Sequence, residues 1–151
     1  MRENLPTRKN IRLKYYDYSN EGMYFITICT KKRIELLGKI QDTNNIELTK
    51  EGILTEQYIH EMEYIFENVT LDEYIIMPNH IHMIIEIENK HEVTIYRIIQ
   101  QYKMYVSKKI GYSIWQKSFY EHIIRNEKEY FKIKEYIRNN IINWKEDKYY
   151  E

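Results

Sequence analysis

Two runs of β-branched and aromatic residues that are only two positions apart place the strongest constraint on the fold. The first run covers residues 71–77 and the second covers residues 80–88, with Pro78-Asn79 between them. A connection this short joins antiparallel neighbours, because parallel strands need a crossover of about a dozen residues or more. The sequence therefore predicts a β-hairpin whose turn is Pro78-Asn79.

Helix and strand patterns alternate on both sides of this hairpin. Thr49 and Asn126 are suitable N-caps, because each side chain can accept a hydrogen bond from the first turn of a helix. The predicted helices span about 50–67, 94–109 and 126–143, and the further strands span 23–30, 119–125 and a short piece at 46–48. The order β-α-β-β-α-β followed by a helix predicts the α+β class, as a ferredoxin-like or RRM-like antiparallel sheet with helices on one face. The other face is then left for a ligand or a further helix.

The length and composition indicate one globular domain. The chain has 151 residues, of which 43% are hydrophobic and 30% charged, so it can bury a core and remain in solution. We expect a single domain over residues 1–151 that begins with a basic arm over residues 1–20. The single cysteine, Cys29, excludes an internal disulfide, and no apolar run approaches the ~20 residues that span a bilayer. We expect an intracellular protein with no secretory signal and no membrane partner.

Charge is distributed unevenly along the chain, although the formal net charge is zero. Residues 51–93 carry a net charge of −9, whereas residues 1–50 carry +4 and residues 94–151 carry +5. Two basic segments around an acidic one allow a local site for a polyanion such as nucleic acid. Solvated faces that bind no ligand would explain the same pattern.

The second strand of the hairpin begins with His80-Ile81-His82. Residues two apart in a strand point to the same face, so both imidazoles are expected on one side of the sheet and Ile81 on the other. Two imidazoles on one face form half of a site for a divalent metal. The alternative is a half-buried strand with two hydrogen-bonded or exposed histidines.

The predicted C-terminal helix carries a second candidate group. Lys132, Tyr136 and Asn140 follow at intervals of four residues and therefore share one face of a helix. Tyr136 is a candidate nucleophile, but a phenol with an ordinary pKa near ~10 needs a nearby cation or metal to lose its proton. As a hypothesis, Lys132 lowers the pKa of Tyr136. The alternative is an amphipathic helix in which Tyr136 lies at the edge of the core and Lys132 is a solvated charge.

Five segments, taken in order, resemble the single-tyrosine HUH transposases, and in particular the REP-associated tyrosine transposases. Members of this family have a His-hydrophobic-His strand and, further along, a helix with a nucleophilic tyrosine. The resemblance extends from about Arg8 to the C-terminus. The segments are 16–19 with the strand 24–31, then 74–82, 98–103, 114–126 and 136–140.

This resemblance implies roles for four residues. His80 and His82 correspond to the metal-binding pair, Tyr136 to the nucleophile, and Asn140 to the amide that serves as a further metal ligand. The implied activity is metal-dependent cleavage and rejoining of single-stranded DNA at hairpin-forming repeats, through a 5′-phosphotyrosine intermediate. Mg²⁺ and Mn²⁺ are both suitable for such a mixed set of nitrogen and oxygen ligands.

One position departs from the family pattern. Similar family members usually have proline directly after the asparagine, whereas this chain has Ile141. Without proline, we expect the helix to continue toward Trp144, which would change the geometry at Asn140.

Several basic residues are candidate DNA contacts. His122 is also a candidate general acid or base, or a structural histidine, and Arg125 with Asn126 is alternatively a helix-capping pair. Lys132 is a candidate both here and as a neighbour of Tyr136. The candidate DNA-binding residues are Arg8, Lys9, Arg12, Lys14, Lys103, Lys132, His122 and Arg125.

Two other function classes remain open at this stage. The first is a catalytically inactive or domesticated module of the same fold that binds single-stranded nucleic acid. The second, a small metal hydrolase, is weaker because the sequence near the His-hydrophobic-His motif lacks a carboxylate-rich ligand set. The N-terminal resemblance favours a monomer and leaves a homodimer open, and it implies a prokaryotic cytoplasmic protein associated with the nucleoid.

Overall fold

A computed structural model describes residues 22–42, 45–88 and 94–144. The predicted basic arm, with Arg8, Lys9, Arg12 and Lys14, lies outside the described residues. Within them, no helix is both long enough and apolar enough to cross a bilayer. The elements are β1 (Gly22–Cys29), β2 (Gly38–Asp42), β3 (Asn45–Leu48), α1 (Lys50–Ile65), β4 (Val69–Met77), β5 (His80–Ile87), α2 (Ile95–Ile110), β6 (Tyr120–Ile124) and α3 (Glu127–Arg138).

The main sheet has four strands in the order β4-β5-β1-β6, and all of its neighbours are antiparallel. The predicted hairpin is present as β4 and β5, with Pro78-Asn79 as its turn. This arrangement confirms the antiparallel α+β fold expected from the order of the elements. A separate hairpin, β2-β3, was predicted only in its second strand. The sequence of β2, with Ile40 as its one large apolar residue, has no alternation that would reveal a strand.

Helices α1 and α2 cover one face of the sheet. Their apolar side chains, including Ile59 and Ile98, pack against strand residues such as Ile26 and Ile81 in the larger core cluster. Both helices begin at threonine caps: the Gly52 N–H donates to Thr49 Oγ1 at 3.0 Å, and the Arg97 N–H donates to Thr94 Oγ1 at 3.1 Å. Because the caps satisfy first-turn donors, both helices begin close to where the sequence predicts.

Helix α3 covers the opposite face. A second cluster of buried residues joins Ile137 of α3 to Met23, Ile84 and Ile124 of the sheet. This is the face of the sheet that was expected to hold a ligand or a further helix, and α3 covers it. Asn126 caps it as predicted, because its Oδ1 accepts a hydrogen bond from the Glu129 N–H at 2.8 Å.

The prediction that α3 continues to about residue 143 is wrong. The helix ends at Arg138, and the chain continues through turns to Trp144. The Asn140 N–H donates to Ile137 O, three residues back, at 3.2 Å instead of extending the helical pattern. Asparagine has a low helix propensity, so two consecutive asparagines favour an end to α3 although no proline follows.

Replacement of Gly52 tests the packing of α1 against the segment before β2. A Cβ on Gly52 would overlap the carbonyl oxygen of Leu37, which is backbone and cannot rotate away. We expect Gly52→Ala to lower the free energy of unfolding by about 1–3 kcal/mol, as overpacking of a core does. Urea denaturation measures this effect. Gln57→Ala, on the exposed side of the same helix, should stay within about 0.5 kcal/mol of wild type. Equal midpoints for the two variants would contradict a tight contact between Gly52 and the Leu37 carbonyl oxygen.

Candidate active site

The two histidines of the hairpin form a buried pair on the side of the sheet that faces α3. His80 lies opposite Cys29 of β1, and His82 lies opposite Thr27. Their exposed fractions are 0% and 1%, and their ring centroids are 4.6 Å apart. The predicted placement of both imidazoles on one face is therefore present in the structure.

Hydrogen bonds at Nδ1 orient each ring. His80 Nδ1 is 2.7 Å from Asn79 Oδ1, and His82 Nδ1 is 2.8 Å from Thr27 Oγ1. An amide oxygen only accepts, so the proton of the neutral His80 ring lies on Nδ1 and the lone pair on Nε2. Asn79 Nδ2 donates to Arg33 O at 3.4 Å, which is consistent with this amide orientation. The Nε2 atoms of both histidines are buried, and a partner at Nδ1 is the arrangement that prepares Nε2 as a metal ligand.

Tyr136 lies next to this pair in the same chain. Its ring centroid is 5.2 Å from that of His82 and 6.3 Å from that of Phe25. Phe25 stacks on His82 at 5.3 Å, so it fills the space between the sheet and α3. Tyr136 is 40% exposed. The phenol-bearing helix therefore meets the paired imidazoles at a position that a substrate can reach.

The turn after α3 places Trp144 against the pair and buries Asn140. The Trp144 ring stacks on His80 with centroids 6.3 Å apart. Asn140 is 2% exposed, and its Oδ1 is buried with no hydrogen-bond partner among the described residues. A buried amide oxygen that lacks a donor is costly, and a bound cation or an added donor would satisfy it.

The donors at this site fit a divalent cation that also accepts oxygen ligands. Two imidazole nitrogens and an amide oxygen suit Mn²⁺, whereas Mg²⁺ prefers a set richer in oxygen. Within the described residues, no group of three or more His, Cys, Asp and Glu side chains is placed to hold a metal. A cation held by the two histidines would therefore need further ligands, and the buried Asn140 Oδ1 is a candidate.

Polar contacts attach α3 to the sheet away from Tyr136. His122 Nε2 pairs with Glu129 Oε2, and Glu129 Oε1 accepts a hydrogen bond from the Arg125 N–H at 2.8 Å. Glu73 of β4 accepts from Arg138 Nε at 3.1 Å and lies 3.9 Å from Lys134 Nζ. His122 thus links β6 to the first turn of α3, which supports the structural alternative for this residue.

The structure separates the remaining predicted DNA contacts. Arg125 and Lys132 are exposed, and Lys132 makes no hydrogen bond or ion pair with another described residue, so no contact supports its effect on the pKa of Tyr136. Lys103 is 7% exposed, and its ammonium donates to Gln116 O and Lys117 O at 2.8 and 2.9 Å. Burial lowers the pKa of Lys103. Lys103 therefore holds a loop in place, and its contact with DNA stays a prediction.

Three of the site's neighbours did not emerge from the sequence as functional residues. Phe25 and Thr27 are part of an ordinary strand pattern, and Trp144 follows the last predicted helix. Their roles depend on the pairing of distant strands and on the turn after α3. Asn79 had a usable signal, because a polar residue directly before His80 is positioned to hydrogen-bond its ring.

The chain is similar to proteins of known sequence and known structure. An uncharacterized protein of Haemophilus influenzae strain Rd is 37% identical over 168 aligned positions, which cover 95% of this chain and 93% of the Haemophilus protein. A solved REP-associated tyrosine transposase bound to a REP hairpin superposes with a TM-score of 0.66 and 22% identity, over 87% of this chain and 72% of that one. The chain has the REP-associated tyrosine transposase fold. It also belongs to one family with the Haemophilus protein.

Other comparisons agree with this assignment of the fold. A candidate transposase from Deinococcus radiodurans R1 superposes with a TM-score of 0.54 and 15% identity, over 82% of this chain and 92% of that one. No protein-family model matches the sequence. The resemblance inferred from the five sequence segments is thus confirmed as a likeness to the fold of the REP-associated tyrosine transposases.

The Thr27–His82 hydrogen bond can be tested in this transposase fold by Thr27→Val. Valine keeps the shape of threonine but leaves His82 Nδ1 without this partner, which should cost about 1–3 kcal/mol of stability. Chemical denaturation measures the loss, and nitrogen NMR of the ring reports the His82 tautomer. Thr70→Val on the exposed side of β4 is the matched control, and an equal loss in both variants would count against an orienting role for Thr27.

Proposed function

We propose that the chain is a metal-dependent endonuclease and strand transferase that acts on single-stranded DNA with Tyr136 as its nucleophile. The observation that carries the proposal is the contact between Tyr136 and His82 within one chain, with ring centroids 5.2 Å apart. A pure binding module has no need of a phenol beside two oriented imidazoles. The contact also supports a monomer as the working unit, because no second chain is required to complete the site.

The reaction is a transfer of phosphorus between oxygen atoms. The phenolate oxygen of Tyr136 attacks the scissile phosphorus, and the bond from phosphorus to the 3′ oxygen breaks. The phenol proton is lost before or during attack, and the leaving 3′ oxygen takes up a proton to become a 3′-hydroxyl. Attack by another 3′-hydroxyl reverses the step and rejoins strands without ATP, because the phosphodiester energy is kept in the tyrosine ester.

His80 Nε2, His82 Nε2 and Asn140 Oδ1 are the atoms that would hold the cation. A bound Mg²⁺ or Mn²⁺ supplies positive charge to the scissile phosphate and favours the ionised phenol. Asn79 and Thr27 keep the histidine rings in the ligating orientation through Nδ1. Phe25 and Trp144 form apolar walls around the pair, which limit the access of water to it.

The proposed substrate is single-stranded DNA next to a hairpin-forming repeat. The solved transposase with the same fold is bound to a REP hairpin. The 40% exposure of Tyr136 supports an extended substrate, because the phenol lies at the surface and not in a closed cavity. We therefore expect hairpin-containing oligonucleotides to be better substrates than unstructured ones.

The nucleophile is tested by the fate of a labelled DNA end. A 3′-fluorescein oligonucleotide incubated with Mn²⁺ should become covalently attached to the wild-type protein, whereas a 5′ label should leave on a fragment with a free 3′-hydroxyl. Tyr136→Phe should form no adduct on a denaturing gel, because it lacks the attacking oxygen. Tyr64→Phe, at an 87% exposed position on α1, should retain wild-type activity. Adduct formation by Tyr136→Phe would refute the assignment, and DNA binding by a wild-type protein that never forms an adduct would support the inactive binding module.

The metal ligand at Asn140 is tested without an activity assay. Asn140→Leu should leave the free energy of unfolding of the metal-free protein unchanged or raise it, because Oδ1 loses no hydrogen bond. The same change should weaken Mn²⁺ binding roughly ten-fold or more in a titration followed by electron paramagnetic resonance. Asn143→Leu, at an exposed position in the same turn, is the control. Equal Mn²⁺ affinities for the two variants would show that Asn140 is not a ligand.

A further inference from the structure

An open groove of about 1250 Å³ lies beside α2, away from Tyr136. The exposed side of α2 forms one wall, and the loop over residues 111–117 forms the other. Five cationic side chains line it: Lys31, Arg97, Lys103, Lys108 and Lys117. The described residues that line it include no Asp or Glu, although the chain as a whole has equal numbers of acids and bases. This lining is complementary to a polyanion.

Aromatic rings and amides lie among these cations. Tyr96 is 61% exposed and Tyr112 is 54% exposed, and both line the groove. Tyr96 is not a loose side chain, because it stacks on Phe119 at 6.3 Å and its hydroxyl accepts a hydrogen bond from Gln100 Nε2 at 2.9 Å. Cations together with exposed rings suit a single strand, whose phosphates pair with the charges while its bases stack on the rings. A lipid surface or a phosphopeptide presents no series of flat bases.

The groove is preformed. Lys103, a largely buried residue of the lining, fastens the loop to α2 through the carbonyl oxygens of Gln116 and Lys117, at 2.8 and 2.9 Å. Gly111, with φ of +111°, ends α2 in a conformation that glycine adopts easily and turns the chain into the loop. A ligand therefore binds without first ordering this wall, which reduces the entropic cost of binding.

The same loop is joined to the end of the sheet that carries the histidines. The Gln116 N–H donates to Cys29 O at 2.8 Å, and Gln116 Nε2 donates to Thr30 O at 3.1 Å. Cys29 is the residue opposite His80 in the sheet. The loop of the groove therefore contacts the end of β1 that pairs with His80. Lys31, two residues after Cys29, lines the groove.

We infer that this groove is a second DNA site, which holds the single-stranded segment that leads to or from the scissile phosphate. The choice of DNA as the ligand rests on the proposed function, whereas the position and chemistry of the site rest on the groove itself. Lys31, Arg97, Lys108 and Lys117 contact phosphates, and Tyr96 and Tyr112 stack on bases. The groove thereby contributes affinity and positions the strand without taking part in the chemistry.

Binding is measured with a fluorescein-labelled 20-nucleotide single strand, by anisotropy, on full-length protein that carries Tyr136→Phe so that cleavage cannot occur. Arg97→Gln/Lys108→Gln should weaken binding roughly ten-fold or more and reduce the salt dependence of log K by about 1.4, because two phosphate contacts are lost. Lys39→Gln/Lys50→Gln removes the same charge from exposed positions elsewhere and should leave the affinity within about two-fold. Tyr112→Ala should weaken binding roughly five-fold or more, with Tyr64→Ala as its control.

The outcomes distinguish a DNA site in the groove, a lipid site in the groove and the proposed reaction at Tyr136. Equal affinities for the groove and control variants, at equal thermal stability, would overturn the groove as a DNA site. Groove-dependent binding to phosphatidylglycerol vesicles, with DNA binding unaffected, would identify a lipid site and would likewise overturn it. A wild-type protein that binds DNA through the groove but forms no tyrosine adduct would refute the proposed reaction and leave this inference standing.

Discussion

The pairing register between β5 and β1 is the constraint on which the rest of the site depends. With His82 opposite Thr27, both imidazoles face α3 and Ile81 enters the core beneath α1 and α2. A slip of one residue would exchange these faces, placing two imidazoles in an apolar core and Ile81 in the site. Burial of β5 on both sides makes that exchange costly, because Ile81 and Met83 are enclosed on one side and Ile84 on the other.

The position of the Tyr136 phenol follows from the packing of α3 on the sheet. Ile137 is buried against the sheet, so its neighbour Tyr136 is carried to the edge of the same contact, beside His82. The ion pairs at Glu73 lie at the margin of this interface, where exposed pairs contribute about 1 kcal/mol or less. Apolar contact therefore sets where α3 lies, and the polar contacts at Glu73 and Glu129 set its orientation.

Local patterns predicted much of this arrangement. The two-residue connection gave the hairpin, the threonine and asparagine caps gave the helix starts, and residue spacing placed His80 and His82 on one face. The end of α3 was mispredicted because the absence of proline does not make a helix continue, and the low helix propensity of Asn139 and Asn140 favours its end at Arg138. The groove could not be foreseen, because its shape depends on the hydrogen bonds that hold the loop against α2 and on Lys31, which comes from a distant part of the sequence. Lys103 shows why a charge pattern alone does not identify a ligand contact. This lysine of α2 donates hydrogen bonds to two backbone carbonyl oxygens and so stabilises the fold.

The proposed cation ligands, two imidazoles and one amide, carry no negative charge. A divalent ion bound by these groups would keep nearly its whole positive charge. The negative charge that balances it would come from a phosphate of the nucleic acid. Cation and nucleic acid would then assist each other's binding by the same factor, as thermodynamic linkage requires. A chain built this way would hold its ion weakly at rest and firmly once a strand is in place, so that its chemical competence would be conferred by the substrate itself.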